Sequence, residues 1–199
     1  MSHISHHAAA GENPASFKPP VEETHGRKIV KGLFCAGVAL SAILCAPHVS
    51  AASVYADQQT KKITVGDVVN GDVYGGYDKK NTSESNSVSG YEVEIKKGAV
   101  VNKVSGPNKT WGGGVYGGFA DTGGESAVNK NTVTISGGNV EGAVRGGHSK
   151  GSGDVTENKV FVKGGTVNGT VFGGSSVDKS GNRTVKENTV EMTGGEVHY

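Results

Sequence analysis

The sequence predicts an all-β chain, a parallel β-solenoid of 27–31-residue repeats, and three observations carry that expectation. The stretch Asn131–Gly147 reads NTVTISGGNVEGAVRGG, returns as NKVFVKGGTVNGTVFGG from Asn158 to Gly174, and returns again as NTVEMTGGEVHY from Asn188 to Tyr199. A fixed period of tens of residues marks stacked units rather than one globular fold. Within a unit Asn131, Val133 and Ile135 alternate with Thr132 and Thr134, the two-residue period of a strand with one buried face. Finally, 33 glycines, a single tryptophan and 6% aromatic residues are poor material for a compact globular core.

Taken in order, the chain opens on residues 1–26, which show no apolar period and hold Pro14, Pro19 and Pro20. This tail is expected to be disordered, and His3, His6 and His7 within it are not read as a metal site. Residues 27–51 have the layout of a secretory signal peptide with a helical core. Arg27, Lys28 and Lys31 precede the apolar run GLFCAGVALSAILCA, which gives way to Pro47 and small residues. Cleavage is expected after Ala51 or Ala52, with Ala56 as a later candidate. The apolar run, Gly32 to Ala46, is shorter than the roughly 20 residues that span a bilayer, which disfavours an uncleaved anchor. Leu44 before Cys45 and Phe34 before Cys35 are too large for a lipoprotein signal. Residues 52–60 form a short leader.

Residues 61–199 are the repeats. The first copy is degenerate: in KITVGDVVNGDVYGG, Val69, Gly71, Val73, Tyr74, Gly75 and Gly76 align with Val140, Gly142, Val144, Arg145, Gly146 and Gly147. The second runs from Tyr91 and carries the extra segment VNKVSGPNKTWGG before closing on VYGG at Gly118. The closing elements begin at Val73, Val115, Val144 and Val171, giving intervals of 42, 29 and 27, and removing an eleven-residue insertion brings the first to 31. Each unit is read as two short strands and a bend, the bend falling at Gly137-Gly138 and Gly164-Gly165, where glycine accepts positive φ. The few valines of one unit do not offset the ordering of its backbone, so units must stack and pair strand upon strand.

Stacking places like residues in columns. Asn131, Asn158 and Asn188 form an inward column whose amides can hydrogen-bond along the stack. Tyr74, Tyr116, Arg145 and Phe172 form a second column, outward by parity, either packing along the stack or contacting a sugar or protein partner.

The N-x-V-x-[IVM]-x-GG-x-V-x-G-x-V-[YF]-GG pattern, the signal peptide and the cysteine-free body together resemble the passenger region of a bacterial type V autotransporter of the glycine-rich, adhesin-like kind. That resemblance spans about residues 27–199. It implies display at the cell surface or outer membrane, a host-cell or neighbouring-cell ligand, glycan or protein, and a C-terminal outer-membrane barrel. A chain ending inside a repeat at Tyr199 is then expected to be a fragment or a truncated frame, periplasmic if no barrel follows.

Other chemistry finds little support. Residues 1–51 take four of the 20 Lys and Arg and three of the 19 acids, leaving 16 of each interspersed, without the basic stripe of a nucleic-acid binder. Both cysteines, Cys35 and Cys45, lie in the signal segment, so the repeats hold no disulfide or thiolate site. Gly112, Gly114 and Gly117 fit GxGxxG, but no helical period follows them. KGSGDV around Asp154 matches a calcium-binding nonapeptide only once, and that motif binds by repetition. Asp78, Asp121, Asp154 and Asp178 sit in variable loops beside lysines and read as a solvated edge, not as paired catalytic carboxylates. The expected role is therefore structural or adhesive, non-catalytic and without cofactor or metal. A carbohydrate-active β-helix lyase or hydrolase and a trimeric autotransporter head are the alternatives.

Overall fold

The structure, a computed structural model, describes residues 49–50, 52–79, 87–105, 110–121, 124–179 and 183–198. The tail 1–26, the signal segment up to residue 48 and the cleavage candidate Ala51 lie outside the described residues. Among those described, every regular element is a β-strand and none is a helix. The strands form sheets of ten, five and four members. Every pairing between them is parallel save one, as in a parallel β-helix-like fold.

The chain visits the three sheets in a fixed order. From Val128–Asn129 in the four-stranded sheet it turns at Lys130, whose φ is +56°, and enters the ten-stranded sheet as Thr132–Ile135. It bends at Gly138, φ +79°, continues as Asn139–Val140, and passes into the five-stranded sheet as Val144–Ser149. The next passage is Val155–Thr156, then Lys159–Val167 with Gly165 at φ +82°, then Val171–Ser176. The passages that begin at Val88, Val128 and Val155 each contribute to three sheets, where the sequence reading gives two short strands and a bend. The four-stranded sheet is missed because its strands are two residues long, too short to show a period.

Register between passages is residue for residue. Ile63, Val93, Val133, Val160 and Val190 face one another in turn, as do Val65, Ile95, Ile135, Val162 and Met192. Alternation then sorts the faces: Val133 and Ile135 are fully buried while Thr132 and Thr134 are half-exposed. The core is accordingly a set of aliphatic columns, mostly valine, whose branched side chains suit a pleated surface. A smaller apolar cluster of Val88, Ala120, Val128 and Val155 lies against the four-stranded sheet.

Within the leader 52–60, Val54–Tyr55 lies in register with Val73–Tyr74, and just before it Val49–Ser50 pairs with Val68–Val69. Within the extra segment the end of the strand Val100–Ser105 pairs antiparallel with Thr110–Gly112, Lys103 opposite Gly112, the one exception to parallel pairing among the described strands. The chain re-enters at Gly113, whose N–H donates to Gly71 O while Gly142 N–H donates to Gly113 O. It takes 12 residues from Val101 to Gly113 against two from Val140 to Gly142, so the insertion is ten residues rather than eleven.

Ile135 is fully buried with aliphatic neighbours above and below. Ile135→Ala is expected to lower unfolding free energy by about 2 to 5 kcal/mol, measured by urea titration, while the exposed Ser136→Ala changes it by less than about 0.5 kcal/mol.

Candidate functional site

The outward column of the five-stranded sheet is the site candidate, and pairing alone fixes its membership. Tyr55, Tyr74, Tyr116, Arg145 and Phe172 stand opposite one another on successive strands. Tyr55 and Tyr74 stack with ring centroids 5.2 Å apart, and Tyr74 and Tyr116 stack at 5.1 Å. The Arg145 guanidinium takes the next place, 5.5 Å from the Tyr116 ring centroid and 5.3 Å from that of Phe172. The rings therefore cover one another's faces. Tyr74 is only 9% exposed, whereas Tyr55 at 54% and Phe172 at 39% keep open surface.

A second column, unnoticed in the sequence, packs against the first. Tyr77, Phe119, His148 and Ser175 share one register position, three residues after the first column. Tyr77 meets Tyr74 edge-on at 4.9 Å, Phe119 meets Tyr116 edge-on at 5.1 Å, and Phe119 stacks on Tyr77 at 5.4 Å. A glycine pair separates the two columns, Gly75-Gly76 on one strand and Gly117-Gly118 on the next. The available signal was the fixed three-residue offset from Tyr74, Tyr116 and Arg145, obscured because Tyr, Phe, His and Ser share little chemistry.

Polar groups ring this aromatic cluster. Tyr74 Oη donates to Asp72 Oδ2 at 3.0 Å, and Tyr77 Oη donates to Asp121 Oδ2 at 3.0 Å. Burial, reinforced by Asp72, pushes the Tyr74 phenol well above its ordinary range, and burial with the Asp121 hydrogen bond pushes Tyr77 up to about 12. Lys150 Nζ pairs with Asp121 Oδ1 at 2.6 Å and lies 5.2 Å from the Phe119 ring centroid. His148 is 8% exposed and its Nδ1 is 2.8 Å from Ser175 Oγ. Burial, then the positive charges of Arg145 and Lys150, lower the His148 pKa to about 4, so the ring is neutral at pH 7. Arg145 Nη1 donates to Tyr116 Oη at 3.3 Å, and Arg145 Nε is shielded from solvent without a hydrogen-bond partner.

The inward amides are organised differently. Asn131 Nδ2 donates to Asn158 Oδ1 at 2.9 Å, and Asn158 Nδ2 donates to Asn188 Oδ1 at 2.9 Å. Asn158 Oδ1 also accepts the Asn131 N–H at 3.1 Å, and Asn158 Nδ2 also donates to Val128 O at 2.9 Å, so the buried amide is fully satisfied. Space for it comes from the closing glycine pairs: a Cβ on Gly118 would stand 2.5 Å from Asn131 Nδ2, and one on Gly147 2.5 Å from Asn158 Nδ2. These glycines answer a close approach, not a positive φ.

The loop carboxylates are not one solvated edge. Asp78 is 6% exposed and accepts a hydrogen bond from Ser126 Oγ, a correction that the sequence hid because Ser126 lies in another loop. Asp178 pairs with Arg183 at 3.4 Å, and Asp154 Oδ1 accepts the Thr184 N–H at 2.6 Å. Among the described residues no group of three or more His, Cys, Asp or Glu is placed to hold a metal ion. Ala52, the second cleavage candidate, is exposed. Compared with known protein families, curated proteins and solved structures, the chain matches none.

Asn158→Ala orphans buried donors and is expected to cost about 1 to 3 kcal/mol for each group left unsatisfied, read from urea denaturation. His148 gives a pH signature. Its folded pKa lies below the unfolded value near 6.5, so the unfolded chain binds the extra proton between about pH 6.5 and 4 and stability falls as pH drops through that window. The loss from this one group reaches up to about 3 kcal/mol. His148→Phe, matching Phe119 in the column, is expected to remove that component when stabilities at pH 7 and pH 4.5 are compared.

Proposed function

We propose that the chain is the exported, surface-displayed passenger part of an autotransporter-like protein, a parallel β-solenoid with a structural or adhesive and non-catalytic role. In this reading the three sheets are the faces of the solenoid, and each passage through them is one 27–31-residue repeat. One observation carries it: segments related by the sequence repeat pair in parallel with equivalent residues opposite one another, as in Val133 with Val160 and Val144 with Val171. The export half rests on the signal-like segment 27–51. The adhesive half rests on the outward column and on the loops after each closing glycine pair, which would meet a glycan or protein of a host or neighbouring cell. The segment 27–51 would carry the chain across the inner membrane. Its destination is the cell surface or outer membrane where the full-length protein bears a barrel, and the periplasm otherwise.

Export is tested by fusing the full chain to a reporter enzyme active only outside the cytoplasm. Deleting Gly32–Ala46 is expected to abolish reporter activity, and undiminished activity would overturn export. For the non-catalytic role, the purified chain incubated with a polysaccharide panel is expected to release no reducing or unsaturated sugar ends. Clear turnover would instead support a carbohydrate-active β-helix.

A further inference from the structure

We propose that Arg145 anchors a binding site for the carboxylate of an acidic saccharide on the outer face of the five-stranded sheet. Arg145 stands where Tyr55, Tyr74, Tyr116 and Phe172 place aromatic rings, so packing alone does not call for a cation there. The guanidinium lies between the Tyr116 and Phe172 rings, its central carbon 5.5 Å and 5.3 Å from their centroids, so the two rings hold it in place. Among the described residues the guanidinium makes one hydrogen bond, from Nη1 to Tyr116 Oη at 3.3 Å, and Nε is shielded from solvent, so a ligand would be met by the terminal nitrogens. Among the described residues Arg145 has no carboxylate partner, as is also true of Lys61 and Lys163, which likewise lie over rings. A planar donor fork held in place and lacking an anion is suited to bidentate capture of a carboxylate.

The surrounding field favours the same charge. Asp121 pairs with Lys150, and among the described residues no acid pairs with Arg145. The effect registers on His148, which burial, and then Arg145 and Lys150, keep neutral. Val144–Ser149 is paired on both sides, to Val115–Ala120 and to Val171–Ser176, so a ligand meets Arg145 through side chains and not through that strand's backbone. The site offers side chains alone: a partly exposed Phe172 ring, the Tyr116 and Ser175 hydroxyls, and the guanidinium edge. An apolar ring face beside convergent polar groups suits a sugar ring bearing an acid.

This inference deepens the adhesive reading and rests on it for the setting in which a glycan is met, but its test needs no display. Calorimetric titration of the purified full chain would use oligomers of galacturonate, of glucuronate and of N-acetylneuraminate, each beside its carboxyl-reduced form, with oligoglutamate as the peptide comparison. At least one acidic oligomer is expected to bind, with its reduced form at least tenfold weaker. Arg145→Tyr restores the residue type of the neighbouring strands, so the fold, checked by circular dichroism, should persist while affinity falls at least tenfold. Arg145→Lys keeps the charge without the fork and is expected to bind at least fivefold more weakly. The proposal is overturned if no acidic oligomer binds, if reduced forms bind equally, if either variant binds like the parent, or if oligoglutamate binds as tightly. A failure of export in the reporter assay would leave this titration untouched, and a failed titration would leave export standing.

Discussion

Parallel pairing in fixed register is the constraint on which the rest depends. Once a strand pairs in parallel with its equivalent, each side chain lies directly against the corresponding side chain of the next passage, about 4.8 Å away. Residue types that attract their own kind are then favoured at every position. Valine and isoleucine do so inside, where Ile95, Ile135 and Val162 follow one another. Asparagine does so at the inward turn, because an amide is both donor and acceptor and Asn158 can serve the amides on either side at once. Tyrosine does so outside, ring on ring.

Charges obey the same rule with opposite sign. Like charges stacked at this spacing repel, and opposite charges meet at some positions: Lys62 lies beside Glu92 at 2.8 Å, and Lys130 at the turn faces Glu157 at 3.9 Å. These exposed pairs add little stability individually; their presence shows that register also disciplines the surface. Arg145 is placed differently, a cation set between two rings instead of beside an acid.

What could be read from the sequence was whatever repeats with recognisable chemistry. The alternation of Val133 and Ile135, the bend at Gly138, the shared column of Asn131, Asn158 and Asn188, and the in-line order of Tyr74, Tyr116, Arg145 and Phe172 all come from like residues recurring at like positions. Where the position recurs and the chemistry does not, sequence reasoning fails. Tyr77, Phe119, His148 and Ser175 occupy one place in the structure but look unrelated in a row. Two-residue strands such as Val155–Thr156 are invisible to any periodicity. Asp78 was misplaced for a third reason: the loop that buries it follows a different passage, and nothing local to Asp78 announces Ser126.

The direction of the hydrogen bonds has a mechanical consequence. Bonds of each paired strand point to the preceding or following passage, and only the antiparallel pairing of Lys103–Ser105 with Thr110–Gly112 stands aside from that ladder. Tension applied to one end would load the bonds of the outermost passage first, a few at a time, and not shear all of them together. Release of one passage of 27 residues, the spacing of Val144 and Val171, pays out roughly 90 Å of extended chain. Under load such a body lengthens in steps and dissipates force before its remaining ladder is disturbed.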